Sequence, residues 1–368
     1  MRAGPQLDAA VRRIVGADEL RIERVERRAL EYDAFLAGRE IARVEGTARI
    51  GTRTVPWSFI EKRTEGPAVS AYLYDNARRE IEAYRSGLLD DLAPDLEAPR
   101  LLAAAEEESD DSLTLWIEDL EATARRLTSR DDILTAARHL GQLSGRWLGR
   151  VPAQDWLFDG WIERHSQPEA MRDAVALVNE AMGVPTVQAR LGRGLDEVAT
   201  LIADQGTFAA ALRRLPVTLC HHDAVAANVF RRETADGAET LLIDWESVGP
   251  GPAGADLASL LFASPRRGDF PARLLETLID EAAADYADGV REGGGSVDPR
   301  ELRLGLHASI ALRWALARDV IAILAGSGTA RRGSAPRESA DEALSDLLRL
   351  VPVLLDSAAE ARSLIQAG

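Results

Sequence analysis

The chain has 368 residues, 46% of them hydrophobic and 28% charged, which is ordinary globular composition, long enough for more than one core and without a sign of disorder. A net charge of −16 opposes a nucleic-acid partner and an anionic membrane surface, and would suit a cationic ligand. A single cysteine, Cys220, excludes an internal disulfide and fits a reducing, cytoplasmic setting. The opening stretch "MRAGPQLDAAVRRIVG" lacks the continuous apolar run of a signal peptide. The longest apolar stretch, "IALRWALARDVIAILAG", is broken by Arg313, Arg318 and Asp319, so a buried helix is expected there rather than a membrane span.

From about residue 20 to 66 the pattern is strand-like. Ala42, Val44, Gly46, Ala48 and Ile50 alternate with Arg43, Glu45, Thr47 and Arg49, the period of a half-buried strand. After the turn "GTRT" a second alternation puts Trp57 and Phe59 on one face and Ser58, Ile60 and Lys62 on the other. The two runs predict an antiparallel hairpin with Lys62 near its end. Of the 44 basic residues 43 are arginine, and Lys62 is the only lysine. It is either a stray, or it marks a position that needs a compact ammonium rather than a planar fork.

"NARREIEAYRSGLLDDL" then changes to helical spacing, with Ile81, Tyr84, Leu88 and Leu89 in one stripe, Asn76 as N-cap and Glu80 in the first turns. "APRLLAAAEEESDDSLTLWIEDL" predicts two more strands around an acidic, solvated loop tip. Beyond Leu120 the sequence is predominantly helical, which sets a lobe boundary near 119–124 and units of 1–120 and 121–368. "REGGGSVDP" and "AGSGTARRGSAPRESADEA" read as mobile loops, and no internal repeat is evident.

One segment departs from the helical background: "LCHHDAVAANVFRRETADGAETLLIDWESVGPGPAGADLA". "VFRR" and "ETLLID" are short strands flanking Asp236-Gly237, a favoured hairpin turn pair. Asn228 and Asp244 are equidistant from Asp236, so an antiparallel fold-back sets an amide oxygen beside a carboxylate, two hard ligands suited to Mg²⁺ with substrate phosphates. Asp223, five residues before Asn228, lies on a loop delivered toward the same point, where its carboxylate can accept a proton from an attacking hydroxyl or orient it. His221 can hold that loop by hydrogen bonds.

These residues resemble the aminoglycoside phosphotransferase family, which shares a protein-kinase-like fold with choline kinase and other small-molecule kinases. "HHDAVAAN" is similar to the family's His-Gly-Asp loop with its later Asn, and "IDWESVGPGPAGADLA" to its metal segment. His222 departs from the pattern, standing where the family generally has Gly. The resemblance implies a bilobal α+β fold: an N-terminal antiparallel β-sheet lobe with one major helix, and a larger, mainly α-helical C-terminal lobe with a short catalytic β-hairpin. It implies that Asp223 is the base or hydroxyl-orienting group, that Asn228 and Asp244 bind Mg²⁺, and that Asp256 braces the loop. It implies too that Lys62, positioned by Glu80 or Glu82 of the next helix, contacts the ATP phosphates. Backbone groups of Glu118 to Leu120, in "LWIEDL", would hold adenine, unless that segment is only an amphipathic strand end. Glu246 would face the acceptor or serve the structure, and Trp314 and Asp319 would belong to the acceptor wall, Trp314 being equally suited to the core.

The expected activity is ATP- and Mg²⁺-dependent transfer to a small-molecule hydroxyl, on an antibiotic, sugar or amino alcohol, cationic or not. The alternatives are a nucleotide-binding scaffold without transfer, and a metal phosphohydrolase, which would need further helical His ligands where this sequence has a hairpin. The N-terminal region has no Gly-x-Gly-x-x-Gly, and near "FLAGRE" only Gly38 is present, which favours a small-molecule kinase over a protein kinase.

Overall fold

The computed structural model describes residues 5–30, 39–65, 76, 78–107, 112–235, 237–333 and 338–367. The chain divides into two units, one of Met1–Leu92, Glu97–Arg125 and Phe230–Ser247, the other of Ala93–Leu96, Arg126–Val229 and Val248–Gly368.

The first unit is built on an antiparallel sheet. Its strands are β1 (Arg21–Ala29), β2 (Arg39–Ile50), β3 (Arg53–Thr64), β4 (Leu101–Glu107) and β5 (Ser112–Glu118), in the spatial order β1-β2-β3-β5-β4. β2 and β3 pair without a slip from Ile50↔Arg53 to Arg39↔Thr64. The alternation read from sequence decides the two faces. Trp57 and Phe59, stacked with centroids 5.4 Å apart, are buried with Val44, Ala48, Leu102 and Trp116 against Ala10 and Val11 of helix α1 (Pro5–Val15). On the other face Ile60, Leu113, Leu115 and Ile117 pack on Ile81 of helix α2 (Arg79–Arg85). Lys62 shares the parity of Ile60 and so points toward α2. Gly46 is required where the sheet is tightest, since a Cβ there would lie 2.0 Å from Arg24 O and 2.7 Å from the Trp57 ring.

The helical stripe expected from Asn76 to Leu89 is split. Asn76 Oδ1 accepts the Arg78 N–H at 3.0 Å, a local turn upstream of the helix rather than its cap. α2 stops at Arg85 because Gly87, at φ 76°, turns the backbone left-handed, and Leu88 and Leu89 are buried from a separate 3₁₀ turn. The two strands around the acidic run form, closing at Glu107↔Ser112, while the loop tip 108–111 lies outside the described residues, as do Gly38 and Asp236.

The second unit is mainly helical. Helix α3 (Arg130–Trp147), opened by a Ser129/Asp132 capping box, packs on the helix Leu275–Glu292 with almost no gap. A Cβ on Gly141 would lie 2.1 Å from Tyr286 O, and one on Gly289 only 1.9 Å from Arg138 O, so side chains there would force the helices apart. α3 in turn supports strand β6 (Val217–Cys220), through Thr218 Oγ1 donating to Ser144 O at 2.7 Å. The hairpin strands β7 (Val229–Thr234) and β8 (Gly237–Leu242) belong, from Phe230 on, to the first unit and not to the helical one as expected, and β9 (Gly249–Pro252), in the second unit, pairs antiparallel with β6, Gly249 opposite Cys220.

The apolar stretch near residue 315 is two buried helices, Pro299–Ala311 and Ala315–Leu324, interrupted at Leu312–Trp314, and not one. Among the described residues no helix is long and apolar enough to cross a membrane. The loop that reads as mobile is anchored in part: Arg332 is buried and bonds Pro265 O and Asp346 Oδ2, each at 2.9 Å. The architecture is the bilobal α+β arrangement of protein kinases, an antiparallel-sheet lobe carrying α1 and a helical lobe.

Candidate functional site

Two clusters hold the chemistry-bearing residues, one in each unit. In the first, Lys62 is buried and its ammonium donates to Glu80 Oε2 at 2.5 Å and to Asp244 Oδ1, with Glu246 Oε2 at 3.5 Å. Strand parity aims Lys62 at α2, whose second residue is Glu80, and Glu80 rather than Glu82 takes the ammonium. Asp244 lies just past β8 at φ 70°, a left-handed conformation that short polar side chains tolerate best after Gly. Arg39, from the start of β2, pairs with Glu246 and lies 4.0 Å from Asp244, and Arg79 Nη1 donates to the Glu246 carbonyl at 2.8 Å.

Three carboxylates therefore face two cations in a largely buried site. Burial pushes the Glu246 carboxyl up to about 7, helped by the Asp244 charge and opposed by Lys62 and Arg39. Burial alone would lower the Lys62 ammonium, but Asp244 and Glu80 outweigh it and hold the pKa above its ordinary value, so the side chain stays charged. The ligand oxygens of Glu80, Asp244 and Glu246 lie within 4.8 Å of one another, and Glu80 Oε1 and Arg39 Nε are buried without a hydrogen-bond partner among the described residues. An orphaned hard oxygen and an orphaned guanidinium donor fit a divalent cation and a phosphate respectively.

The second cluster is wound from backbone. Asp256 accepts the His221 N–H at 2.7 Å and the His222 N–H at 2.8 Å on its two oxygens. Burial raises its carboxyl to about 6 against the pull of those two bonds. The Asp223 N–H donates to His221 Nδ1 at 3.3 Å, which leaves the imidazole proton on Nε2. Asn228 Nδ2 donates to Asp223 O and Oδ2, both at 3.0 Å, so the amide keeps its oxygen for another partner, the property a cation ligand needs. The Asp223 side chain is 38% exposed, open enough to meet an acceptor.

His222 occupies the place of the family's glycine at φ 65°, which explains why glycine suits that position. Its ring is buried, stacked on Trp161 at 5.5 Å, with Nε2 3.1 Å from Pro250 O, and burial pushes its pKa down to about 3, keeping it neutral. Gly251 makes room for it, since a Cβ there would lie 2.6 Å from the ring and 2.9 Å from Cys220 Sγ. Cys220, His222 and Asp256 also have potential ligand atoms within 4.8 Å, but both Asp256 oxygens are committed to backbone N–H groups.

Around Glu118 to Leu120, the Glu118 N–H donates to Arg100 O at 3.0 Å, Asp119 accepts the Glu121 N–H at 3.3 Å and binds Arg43, and Leu120 packs on Phe230 and Leu241. Trp314 is core, its indole donating to His165 O at 2.9 Å, while Asp319 is bound by Arg266 and Arg318, each at 2.7 Å. The sequence reading did not reach Arg39, although ladder position was a usable signal: it shares a face of β2 with Ile41, the residue opposite Lys62. Nor did it reach Ser264 and Asp269, which accept the Ala226 and Ala227 N–H groups at 2.8 and 3.1 Å from some forty positions downstream, a pairing with no local signature.

A fold with a sheet lobe and a helical lobe, one buried lysine–carboxylate cluster and a His-x-Asp loop ending in Asn defines a kinase-like class. A profile described as the phosphotransferase enzyme family matches residues 22–293, and the chain belongs to that family. Among solved structures, an ethanolamine kinase of Plasmodium vivax is 13% identical over 90% of this chain and 84% of its own, with a TM-score of 0.51, a likeness of fold. A microcompartment-associated aminopropanol kinase is 17% identical over 92% and 94% of the two chains, TM-score 0.49. An amicoumacin kinase is 14% identical over 89% and 88%, TM-score 0.49. No curated protein sequence matches the chain.

Proposed function

We propose that the chain transfers the γ-phosphoryl group of ATP to a hydroxyl on a small molecule. The observation that carries this is the state of the only lysine: in a chain that otherwise uses arginine, Lys62 is buried and held by Glu80 and Asp244. A compact ammonium on a flexible stem can sit among carboxylates and still reach α- and β-phosphate oxygens, which a rigid fork does not do in the same volume.

Mg²⁺, held by Asp244 and Asn228, would neutralise charge on the β- and γ-phosphates. Lys62 and Arg39 supply fixed positive charge, and Glu80 fixes the ammonium. The acceptor hydroxyl gives its proton to Asp223 as its oxygen bonds to the γ-phosphorus, while the bond to the β-phosphate oxygen breaks and ADP leaves with that electron pair. Asp256 and His221 hold the loop that presents Asp223. Backbone groups of Glu118 and Leu120 receive adenine. Glu246 is the carboxylate through which a cationic acceptor would be met, and its pairing with Arg39 favours a part in the charge cluster instead.

The test is ADP release on incubation with ATP·Mg²⁺ and a panel of amino alcohols, aminoglycosides, other hydroxylated antibiotics and monosaccharides. One panel member should be phosphorylated, and Asp223→Ala should remove that activity by about a thousandfold or more while ATP still binds. Nucleotide binding without transfer to any acceptor would instead make the chain a nucleotide-binding scaffold. Undiminished turnover in Asp223→Ala would remove that residue from its role.

A further inference from the structure

In a chain of net charge −16, positive charge gathers beside the Asp223 loop. Two routes of contact lead there, both within the second unit. Along one, Arg267 Nη1 lies 3.7 Å from Asp223 Oδ2, and its neighbour Arg266 donates through Nη2 to Asp319 Oδ2 at 2.7 Å. Along the other, the His222 ring stacks on Trp161, whose ring centroid lies 5.6 Å from the Arg313 guanidinium and 4.6 Å from the His165 ring. The Trp314 indole donates to His165 O, and Arg318 lies over the Trp314 ring at 5.9 Å. Arg318 Nε and Nη2 donate in turn to Asp319 Oδ1, at 3.0 and 2.7 Å. The two routes meet at Asp319, so four arginines stand on a wall that starts and ends at the Asp223 loop.

Resting on the kinase reading, we propose that the acceptor is anionic: a hydroxyl compound whose carboxylate or phosphate group is held by Arg266 and Arg318 while its hydroxyl meets Asp223. Asp319 takes one arginine on each oxygen, so two cations share one carboxylate. That makes Asp319 a brace that sets two forks side by side, and not a counter-charge for an ammonium. Both forks keep donors beyond those bonds: among the described residues Arg266 uses only Nη2, and Arg318 only Nε and Nη2. Their side chains are 32% and 42% exposed, open to a ligand, and planar forks match carboxylate or phosphate oxygens in pairs. The positive field reaches inward as well. Burial pushes the His165 imidazole down to about 3, and Arg313, Arg164 and Arg266 push it the same way against its bond to Trp161 O. Carboxylates that could meet a cationic acceptor are already matched, Glu163 by Arg213 at 2.7 Å and Glu246 by Arg39.

The experiment measures acceptor-dependent ADP release with ATP·Mg²⁺ over four classes of acceptor: neutral sugars, amino-bearing acceptors, sugar acids such as gluconate, and sugar phosphates such as glucose 6-phosphate. An anionic class should give the highest kcat/KM, with a KM that rises with ionic strength. Turnover of sugar acids alone identifies a carboxylate ligand, and of sugar phosphates alone a phosphate. Arg266→Met and Arg318→Met should each raise that KM by about tenfold or more, the scale of losing one charged hydrogen bond, with ATP affinity by calorimetry and melting point as in wild type. Arg266→Lys should recover part of the loss, because the positive charge is retained. A neutral or amino-bearing acceptor with the highest kcat/KM overturns the proposal, as does an unchanged KM in both Met variants or a KM that merely follows the melting point. If wild type transfers to no member of any class, the kinase reading fails and this one with it, whereas an active enzyme that prefers a neutral or cationic acceptor removes the anionic acceptor alone.

Discussion

The two clusters are held by opposite physics. The Lys62 cluster consists of buried formal charges, three carboxylates against two cations, with hydrogen-bonding atoms left over. The Asp223 loop is held mostly by neutral backbone donors, on Asp256, His221, Ser264 and Asp269, and by a neutral imidazole stacked on Trp161. A cluster of the first kind is costly to assemble and stays responsive to an arriving cation or phosphate. One of the second kind fixes a geometry and so positions a single carboxylate. A phosphoryl-transfer enzyme needs one of each: a place where charge is matched, and a place where an acceptor is aligned.

The contrast can be broken most forcefully at Lys62. Lys62→Met should destabilise the fold by about 3–5 kcal/mol, because the carboxylates of Glu80 and Asp244 are left buried and short of a partner. Chemical denaturation reads this directly, and a loss below 1 kcal/mol would mean the cluster is not held by charge. Lys62→Arg keeps the charge, and should still lose about tenfold or more in kcat/KM for ATP, since the fork does not replace the ammonium.

In the second cluster, Asp256→Asn should cost about 1–3 kcal/mol, because an amide oxygen accepts only one of the two backbone N–H groups and its nitrogen faces the other. Amide exchange at His221 and His222 should accelerate with it. His222 sets a pH signature. The folded imidazole stays neutral down to about pH 3, whereas the unfolded one protonates near 6.5, so below 6.5 the unfolded state takes up a proton that the folded state does not. Stability is therefore fully present above pH 6.5 and lost toward 3, by about 2 kcal/mol between 6.5 and 5 for this residue. Replacing His222 by Gly should flatten the stability–pH curve by that amount, and parallel curves for variant and wild type would contradict the assignment. At the small end, Arg303→Ala removes only a surface pair with Glu360 and should change stability by at most about 0.5 kcal/mol.

By itself the sequence settled whatever depends on short-range periodicity or on a contiguous motif. The parity of β3 put Lys62 on the side of Ile60 and α2, since successive strand residues face opposite ways. "HHDAVAAN" carried Asp223 and Asn228 together because five residues of chain cannot separate them far. The helix after β3 was visible but its ends were not, because Gly87 breaks the stripe and Asn76 spends its side chain on a turn before it. Only tertiary structure decided the rest. Glu80 over Glu82, Arg39 beside Glu246, and Ser264, Arg267 and Asp269 around the Asp223 loop are contacts between residues from 18 to 207 positions apart. They follow from which face a helix buries and where a returning strand lands, and nothing in local spacing encodes either.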